Sequence, residues 1–331
     1  MNDSLADGLR RVLADHCTPD EVRKLETGGH PTLWQLLEPL GYAEAFVPEE
    51  HGGIGLPLEE VFELGFALGR GAFPLPLLET AVARSLLAVA GVQPPEGIIV
   101  LCDAQPAGHG EVALPQTPGL HHARHVLARH ENSWHLLRLS GEGVRPGEYR
   151  PTVSGAVDGI PLQNSLARFA APHAAAVLTA PLNAAEMAGS LTAVLDMTLS
   201  YAADRKQFGR AIGQFQALQM EISLLAELVA FATMAARMGC TGTVAAPDEL
   251  RALSAKLACC DAAERAVSIA HAVHGAIGIT EEYPLGIHAR RLHEWRSTGA
   301  VAGAAARRIG SALLHDSGET LQFVRSSLAF A

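Results

Sequence analysis

Residues 201–219 read YAADRKQFGRAIGQFQALQ. A helical face ends in Arg205-Lys206, gives way to Phe208-Gly209, and resumes two residues after Gly213. A plain linker needs no such order of residues. Upstream, Met187, Leu191, Val194, Thr198 and Tyr201 step by four, three, four and three, one stripe of an amphipathic helix. Downstream, Phe215, Leu218, Ile222, Leu225 and Val229 do the same. Leu250, Leu253, Leu257 and Cys260 form a third stripe, opened by Pro247 with Asp248-Glu249. A fourth helix is expected from Pro284 to about Leu314. Four long helices on short connections make an antiparallel bundle.

The first part of the chain is also helical. Leu5, Leu9 and Val12-Leu13 fall at helical spacing in MNDSLADGLRRVL, and Thr18-Pro19-Asp20-Glu21 is a helix start with Thr18 as cap. Trp34, Leu36, Leu37 and Leu40 form another apolar face. A glycine-punctuated loop runs from Pro48 to Pro57, helix resumes at Leu58 and ends near Gly69 to Gly71, and one more helix closes at Gly91. Between the helical parts the character changes. GIIVLCD, residues 97–103, reads as a buried strand, and HVLARHENSWHLLRLS, residues 125–140, as a hairpin. HAAAVLTAPLN, residues 173–183, reads as a last strand. The expected fold is mainly α with a small β domain: an N-terminal helical domain over 1–95, a short middle β domain over 96–182, and a C-terminal four-helix bundle over 183–331.

The 331 residues are enough for two or three domains with a real core. Aromatic residues make up 5%, which favours helix packing through small side chains over an aromatic-rich sandwich. The formal net charge of −10 argues against nucleic acid as a main partner, because phosphate binding needs clustered Lys and Arg. No run approaches the ~18 apolar residues of a bilayer span, and no basic amphipathic stretch marks a membrane surface. A soluble, cytoplasmic protein is the expectation. Cys17, Cys102, Cys240, Cys259 and Cys260 show no C-x-x-C spacing and read as reduced. His121, His122, His125 and His130 crowd GLHHARHVLARH, residues 119–130, without a carboxylate or cysteine at supporting spacing, so no metal is expected.

Three local words carry a resemblance. DRKQFGRAIGQFQALQ, residues 204–219, resembles the signature joining the first two C-terminal helices of acyl-CoA dehydrogenases. HGAIGITEEYP, residues 274–284, resembles that family's HGGxGxTxEYP loop between its third and fourth bundle helices. FVPEEHGGIGLPLEEV, residues 46–61, resembles its N-terminal xPExxGGxG segment. The order of helices, β region and bundle is similar too.

The resemblance implies FAD. It puts Arg205 at a helix end, reaching the flavin pyrophosphate across a subunit boundary, where a planar guanidinium fork suits phosphate oxygens. Phe208 would be an apolar wall, Gly209 the left-handed end of the helix, and Gly213 with Gln214 the opening of the next. Gln207 belongs to the same set. Gly275, Ala276 and Gly278 would let backbone approach the cofactor. An exposed basic pair on a helical hairpin is the plain alternative. The loop departs from the family at Ala272, where Gln is usual, and at Ala276, where Gly is usual.

Larger departures concern the chemistry. Residues 96–182 lack the family's TEPxxGSD-like and WIT-like words, and Trp134 reads as a packed hairpin residue. The family's reaction removes an α-proton with a buried glutamate. Counting fifteen residues on from Pro284 reaches Gly299, one family position of that glutamate; the other aligns with Thr179. Glu186 lies seven residues past Thr179, about 10 Å along a helix axis, and Glu294 points elsewhere; both read as solvated helix residues. The catalytic residue of this chain is unassigned.

The resemblance therefore implies an oxidoreductase subunit in α,β-dehydrogenation of an acyl-CoA thioester, with the glutamate on a partner subunit. Electron-transfer flavoprotein would take the electrons. A homo-dimer or tetramer, or a hetero-oligomer with a full-length homologous subunit, would complete the flavin site. Two alternatives stay open: a helical scaffold of the same fold that lost the flavin, and a flavin-dependent oxidase or monooxygenase.

Overall fold

The computed structural model describes residues 4–316 and 318–327. Five helices open the chain: α1 (Leu5–His16), α2 (Pro19–Glu26), α3 (Thr32–Leu37), α4 (Glu59–Arg70) and α5 (Leu77–Val89). Ser4 caps α1 and Thr18 caps α2, each side-chain oxygen accepting a backbone N–H one turn on. The first three residues of the N-terminal helical reading lie outside the described residues. Gly91, at φ 73°, ends α5 as expected.

Eight strands follow: β1 (Ile99–Asp103), β2 (Gln105–Gly108), β3 (Glu111–Thr117), β4 (His125–His130), β5 (Ser133–Arg138), β6 (Arg145–Pro146), β7 (Gly155–Pro161) and β8 (Ala167–Ala170). They form two four-stranded sheets, ordered β1-β4-β5-β8 and β2-β3-β7-β6. The expected hairpin is β4–β5, turning at Glu131-Asn132 with Glu131 at φ 52°. Trp134 is fully buried in it.

The C-terminal part holds α6 (Ala175–Asp204), α7 (Gln216–Gly239), α8 (Glu249–His274), α9 (Leu285–Ser297), α10 (Ala302–His315) and α11 (Thr320–Ser327). Helices α6 to α9 pack on one another as the bundle. The expected stripes face inward: Met187, Leu191 and Val194 on α6, Ile222, Leu225 and Val229 on α7, and Leu253 and Cys260 on α8 are buried. Burying each large aliphatic chain stabilises by roughly 1.5–3 kcal/mol. All five cysteines are buried and free.

Two expectations need correction. Residues 175–183 are not a strand; they are the first turns of α6, with Pro181 inside the helix. The expected fourth helix is two, α9 and α10, broken over 298–301, where Gly299 adopts φ 64°. A side chain resists that left-handed conformation, so the chain turns there.

Helix α4 crosses α6 at backbone contact. A Cβ on Gly69 would lie 1.9 Å from the Glu186 carbonyl oxygen, and one on Gly189 would lie 2.1 Å from that of Phe66. Helix α7 differs from its neighbours. By length and composition alone it is apolar enough to cross a membrane, with an 18-residue window of mean hydropathy 1.4, of which 28% is buried. That departs from the expectation that no stretch would reach this threshold. Its inner stripe packs on α6 and α8, while Met220, Phe231 and Met234 are exposed.

Candidate functional site

The opening stretch folds as follows. Helix α6 ends at Asp204, and the Arg205 N–H bonds back to the Tyr201 carbonyl. Lys206-Gln207 then pairs with Arg210-Ala211 in a two-residue hairpin. Its turn is Phe208-Gly209, at φ 50° and 81°, the double left-handed geometry of a tight hairpin. Gly209 is therefore a hairpin-turn residue and not the end of α6, a correction to the sequence reading. Gly213 and Gln214 lie in a 3-10 turn ahead of α7, whose cap is Phe215. The backbone bond from Ile212 N–H to the Arg205 carbonyl, 2.8 Å, ties the hairpin to the end of α6.

This geometry presents side chains outward. Phe208 is 90% exposed, its only ring neighbour among the described residues being Phe215, edge-on at 6.1 Å. The Arg210 guanidinium covers the Phe215 ring at 4.1 Å. Arg205 and Gln207 are exposed, and the Arg205 guanidinium has no ion pair among the described residues. A bulky residue in a left-handed turn costs of order 1 kcal/mol, so the fold spends stability to hold an aromatic ring in water.

The second glycine-rich word lies beside it. Gly275 ends α8 at φ 62° and ψ −140°, a conformation other residues scarcely adopt. The 3-10 turn Gly275–Ile279 carries Ala276 and Gly278; Gly275 and Ala276 are exposed and Gly278 is buried against His274. The Tyr201 ring stacks on His274 at 4.6 Å, and Tyr283 lies 4.9 Å from His274 and donates to the Met197 carbonyl. These rings lock the end of α6 to the end of α8, so both words share one end of the bundle. The Nε2 of His274 is buried there without a partner. An unpaired guanidinium, an exposed ring and open glycine backbone form a surface suited to a dinucleotide diphosphate. It lies on the outside of the chain.

The chain has its own cleft, elsewhere. A cavity of about 430 Å³ is bounded by α5, β1, β3, the start of α6 and the α9–α10 break. Asp103, at the end of β1, accepts from Ala175 N–H at 3.0 Å and Ala176 N–H at 2.9 Å, capping α6 from a distant strand. A Cβ on Gly299 would lie 3.2 Å from Thr179 Oγ1 and 3.6 Å from Asn183 Oδ1. Positions 179 and 299 thus meet in the cleft. Thr179 donates to the Ala175 carbonyl and Gly299 has no side chain, so neither supplies a carboxylate.

Ionisable groups surround the cleft floor, and sequence reasoning missed most of them. Glu79 of α5 lines the cavity and accepts from Asn183 Nδ2 at 3.3 Å. Behind it, fully buried Lys256 donates to Asn183 Oδ1 at 3.3 Å and to the Trp295 carbonyl at 2.5 Å, capping the C-terminal end of α9. Glu186 is buried rather than solvated. Glu294 is buried too, paired with Arg291 at 2.8 Å and accepting from Thr152. Both findings overturn the expectation of solvated helix carboxylates. Burial pushes Glu79 up, and burial together with the neighbouring Glu79 charge pushes Glu186 well up. Burial pulls Lys256 down. A lone acid in the apolar face of α5 and a lysine inside an alanine-rich stripe were the available signals.

The two regions are far apart. Thr179 and Asp204 are separated by 25 residues of α6, roughly 38 Å along its axis.

Comparison with known proteins gives a family model, curated relatives and solved structures of similar fold. The model for the acyl-CoA dehydrogenase C-terminal domain matches residues 173–310. Acyl-CoA dehydrogenase IpdE2 of Mycobacterium tuberculosis is 30% identical over 311 residues, covering 87% of this chain and 90% of that protein. Among solved structures, the ChsE4-ChsE5 complex from Mycobacterium tuberculosis superposes with a TM-score of 0.75 at 22% identity, covering 95% of this chain and 97% of that one. The Tcur3481-Tcur3483 steroid ACAD G363A variant superposes with a TM-score of 0.72 at 25% identity, covering 92% and 96%.

Proposed function

This chain belongs to the acyl-CoA dehydrogenase family, an oxidoreductase family, and from that premise we propose that it acts as a subunit in FAD-dependent α,β-dehydrogenation of an acyl-CoA thioester. One observation carries this reading: the Arg205–Phe208 surface lies at the far end of α6 from the chain's own cleft, roughly 38 Å away. A dinucleotide on that surface therefore serves another chain's cleft. Two assemblies of similar fold, the ChsE4-ChsE5 complex and Tcur3481-Tcur3483, are each named as a pair, which supports a hetero-oligomer with a longer homologous subunit.

In this reading Arg205 forks onto the diphosphate and Phe208 shields the ring system from water. Gln207, Gly209 and Gln214 line the hairpin side of the surface. The open backbone at Gly275, Ala276 and Gly278 lets the adenine side approach. When bound, FAD accepts the β-hydrogen as hydride. The α-proton goes to a glutamate of the partner, because positions 179 and 299 carry none here. Electron-transfer flavoprotein receives the electrons.

The test is the visible spectrum of the purified chain, alone and co-expressed with a longer homologue from a neighbouring gene. Flavin absorbance only in the co-expressed sample supports the reading. Stoichiometric FAD with unaided acyl-CoA dehydrogenation by the lone chain overturns the partner requirement, and absence of flavin in both samples makes the chain a scaffold.

A further inference from the structure

We propose that the groove between the loop after α2 and the β domain is a binding site for the phosphate group of a small molecule, held by Arg150, His121 and His122. The groove shares no residue with the Arg205–Phe208 surface or with the cleft at Gly299.

The groove has a volume of about 800 Å³, within the range of small-molecule sites. Three segments wall it: residues 25–31 after α2, the β3–β4 loop at His121-His122, and Arg150-Pro151-Thr152 ahead of β7. The first observation is charge. In a chain of net charge −10, this lining gathers Arg150, His30, His121 and His122. Its acid, Glu26, is buried and already paired, at 2.9 Å with Arg291 and at 3.2 Å with Arg290. The lining therefore holds no free carboxylate to neutralise the cations. The second observation is unused donor capacity. The Arg150 guanidinium is exposed and has no ion pair or hydrogen bond among the described residues. His122 Nε2 lies 3.2 Å from the Leu25 carbonyl oxygen, so that nitrogen carries the hydrogen, and Nδ1 makes no hydrogen bond among the described residues. A guanidinium fork and imidazole N–H groups from separate segments suit a tetrahedral dianion. The imidazoles do not converge as metal ligands: among the described residues no group of three His, Cys, Asp or Glu side chains could hold a metal ion.

Burial pulls both His121 and His122 below the usual imidazole value, reinforced at His121 by Arg150 and at His122 by His121 and His30. Those cations and the neutralised Glu26 are the charges around the two rings. An anion between them favours the charged imidazoles, so binding takes up protons and His122 Nδ1 becomes a donor.

The experiment is calorimetric titration of the full-length chain with inorganic phosphate and with acetate, at pH 6 and constant ionic strength. Phosphate should bind saturably at one site per chain, and acetate at least tenfold more weakly. Arg150→Ala should weaken phosphate at least tenfold, and His122→Gln at least threefold. If His122→Gln does not fold, His121→Gln decides by the same threefold criterion. Sulfate, whose charge is constant over this range, should bind at least fivefold more tightly at pH 6 than at pH 8. Arg205→Ala should bind phosphate as the wild-type chain does. Absence of saturable phosphate binding, undiminished affinity in Arg150→Ala, pH-independent sulfate binding, or loss of the phosphate site in Arg205→Ala would overturn the proposal. Flavin content bears on the subunit reading alone.

Discussion

A side chain at Gly299 would begin 3.2 Å from Thr179 Oγ1. The two positions where the resemblance places a proton-accepting glutamate, far apart in sequence, thus converge on one spot from α6 and from the α9–α10 break. Neither holds a carboxylate here. The nearest acids by sequence, Glu186 and Glu294, are buried and face other groups: Glu186 stands near Glu79, and Glu294 holds Arg291 and Thr152. The missing base is therefore a property of the cleft as folded.

Gly299 adopts φ 64°, and its Cβ position is already crowded by Thr179. Gly299→Ala should lower unfolding stability by about 1–2 kcal/mol. Urea denaturation measures this; an unchanged midpoint would mean that the α9–α10 break relaxes.

Two glycines should respond with opposite sign. Gly69→Ala drives a methyl to 1.9 Å from the Glu186 carbonyl oxygen, backbone that cannot move without separating α4 from α6. A loss of roughly 3 kcal/mol or more is expected. Gly310, inside α10, has nothing within 4 Å of a Cβ, so Gly310→Ala should stabilise by up to about 1 kcal/mol through helix propensity. Paired thermal melts check both.

His288 is buried, with Nδ1 2.9 Å from Ser190 Oγ, and burial, reinforced by Arg291, pulls its pKa from 6.5 down to about 4. Between those values the unfolded chain binds the proton and the folded chain does not. The histidine's destabilising effect is absent above pH 6.5 and grows as pH falls, reaching roughly 3 kcal/mol near pH 4. His288→Asn should remove that part of the acid limb in denaturation curves at pH 4 to 7.

The stripes of α7 and α8 were legible because each helix buries a face at helical spacing, whereas α6 is buried all round over 177–191, and Asp248 announces α8 with a local cap. Residues 175–183 were not, since Ala, Val, Leu and Thr serve strand and helix alike, and the cap comes from Asp103, 72 residues earlier in the chain. A single glycine in a helical pattern is usually tolerated, which hid the break at Gly299. The buried charges stayed hidden because their partners lie on other elements: Lys256 meets Trp295 and Asn183, and Arg291 meets Glu26 as well as Glu294. The words around Arg205 and Gly275 were readable as words, but the ring stack of Tyr201 on His274 that joins them is a product of folding.

The central claim is that this chain offers Arg205 to a flavin serving another chain's cleft. Its most direct test is the FAD content of the complex with the longer homologue, comparing the wild-type chain with Arg205→Ala and Arg205→Lys. The account predicts flavin loss of at least tenfold in Arg205→Ala, with partial retention in Arg205→Lys and with both complexes still assembled. Full FAD occupancy in an intact Arg205→Ala complex would contradict it.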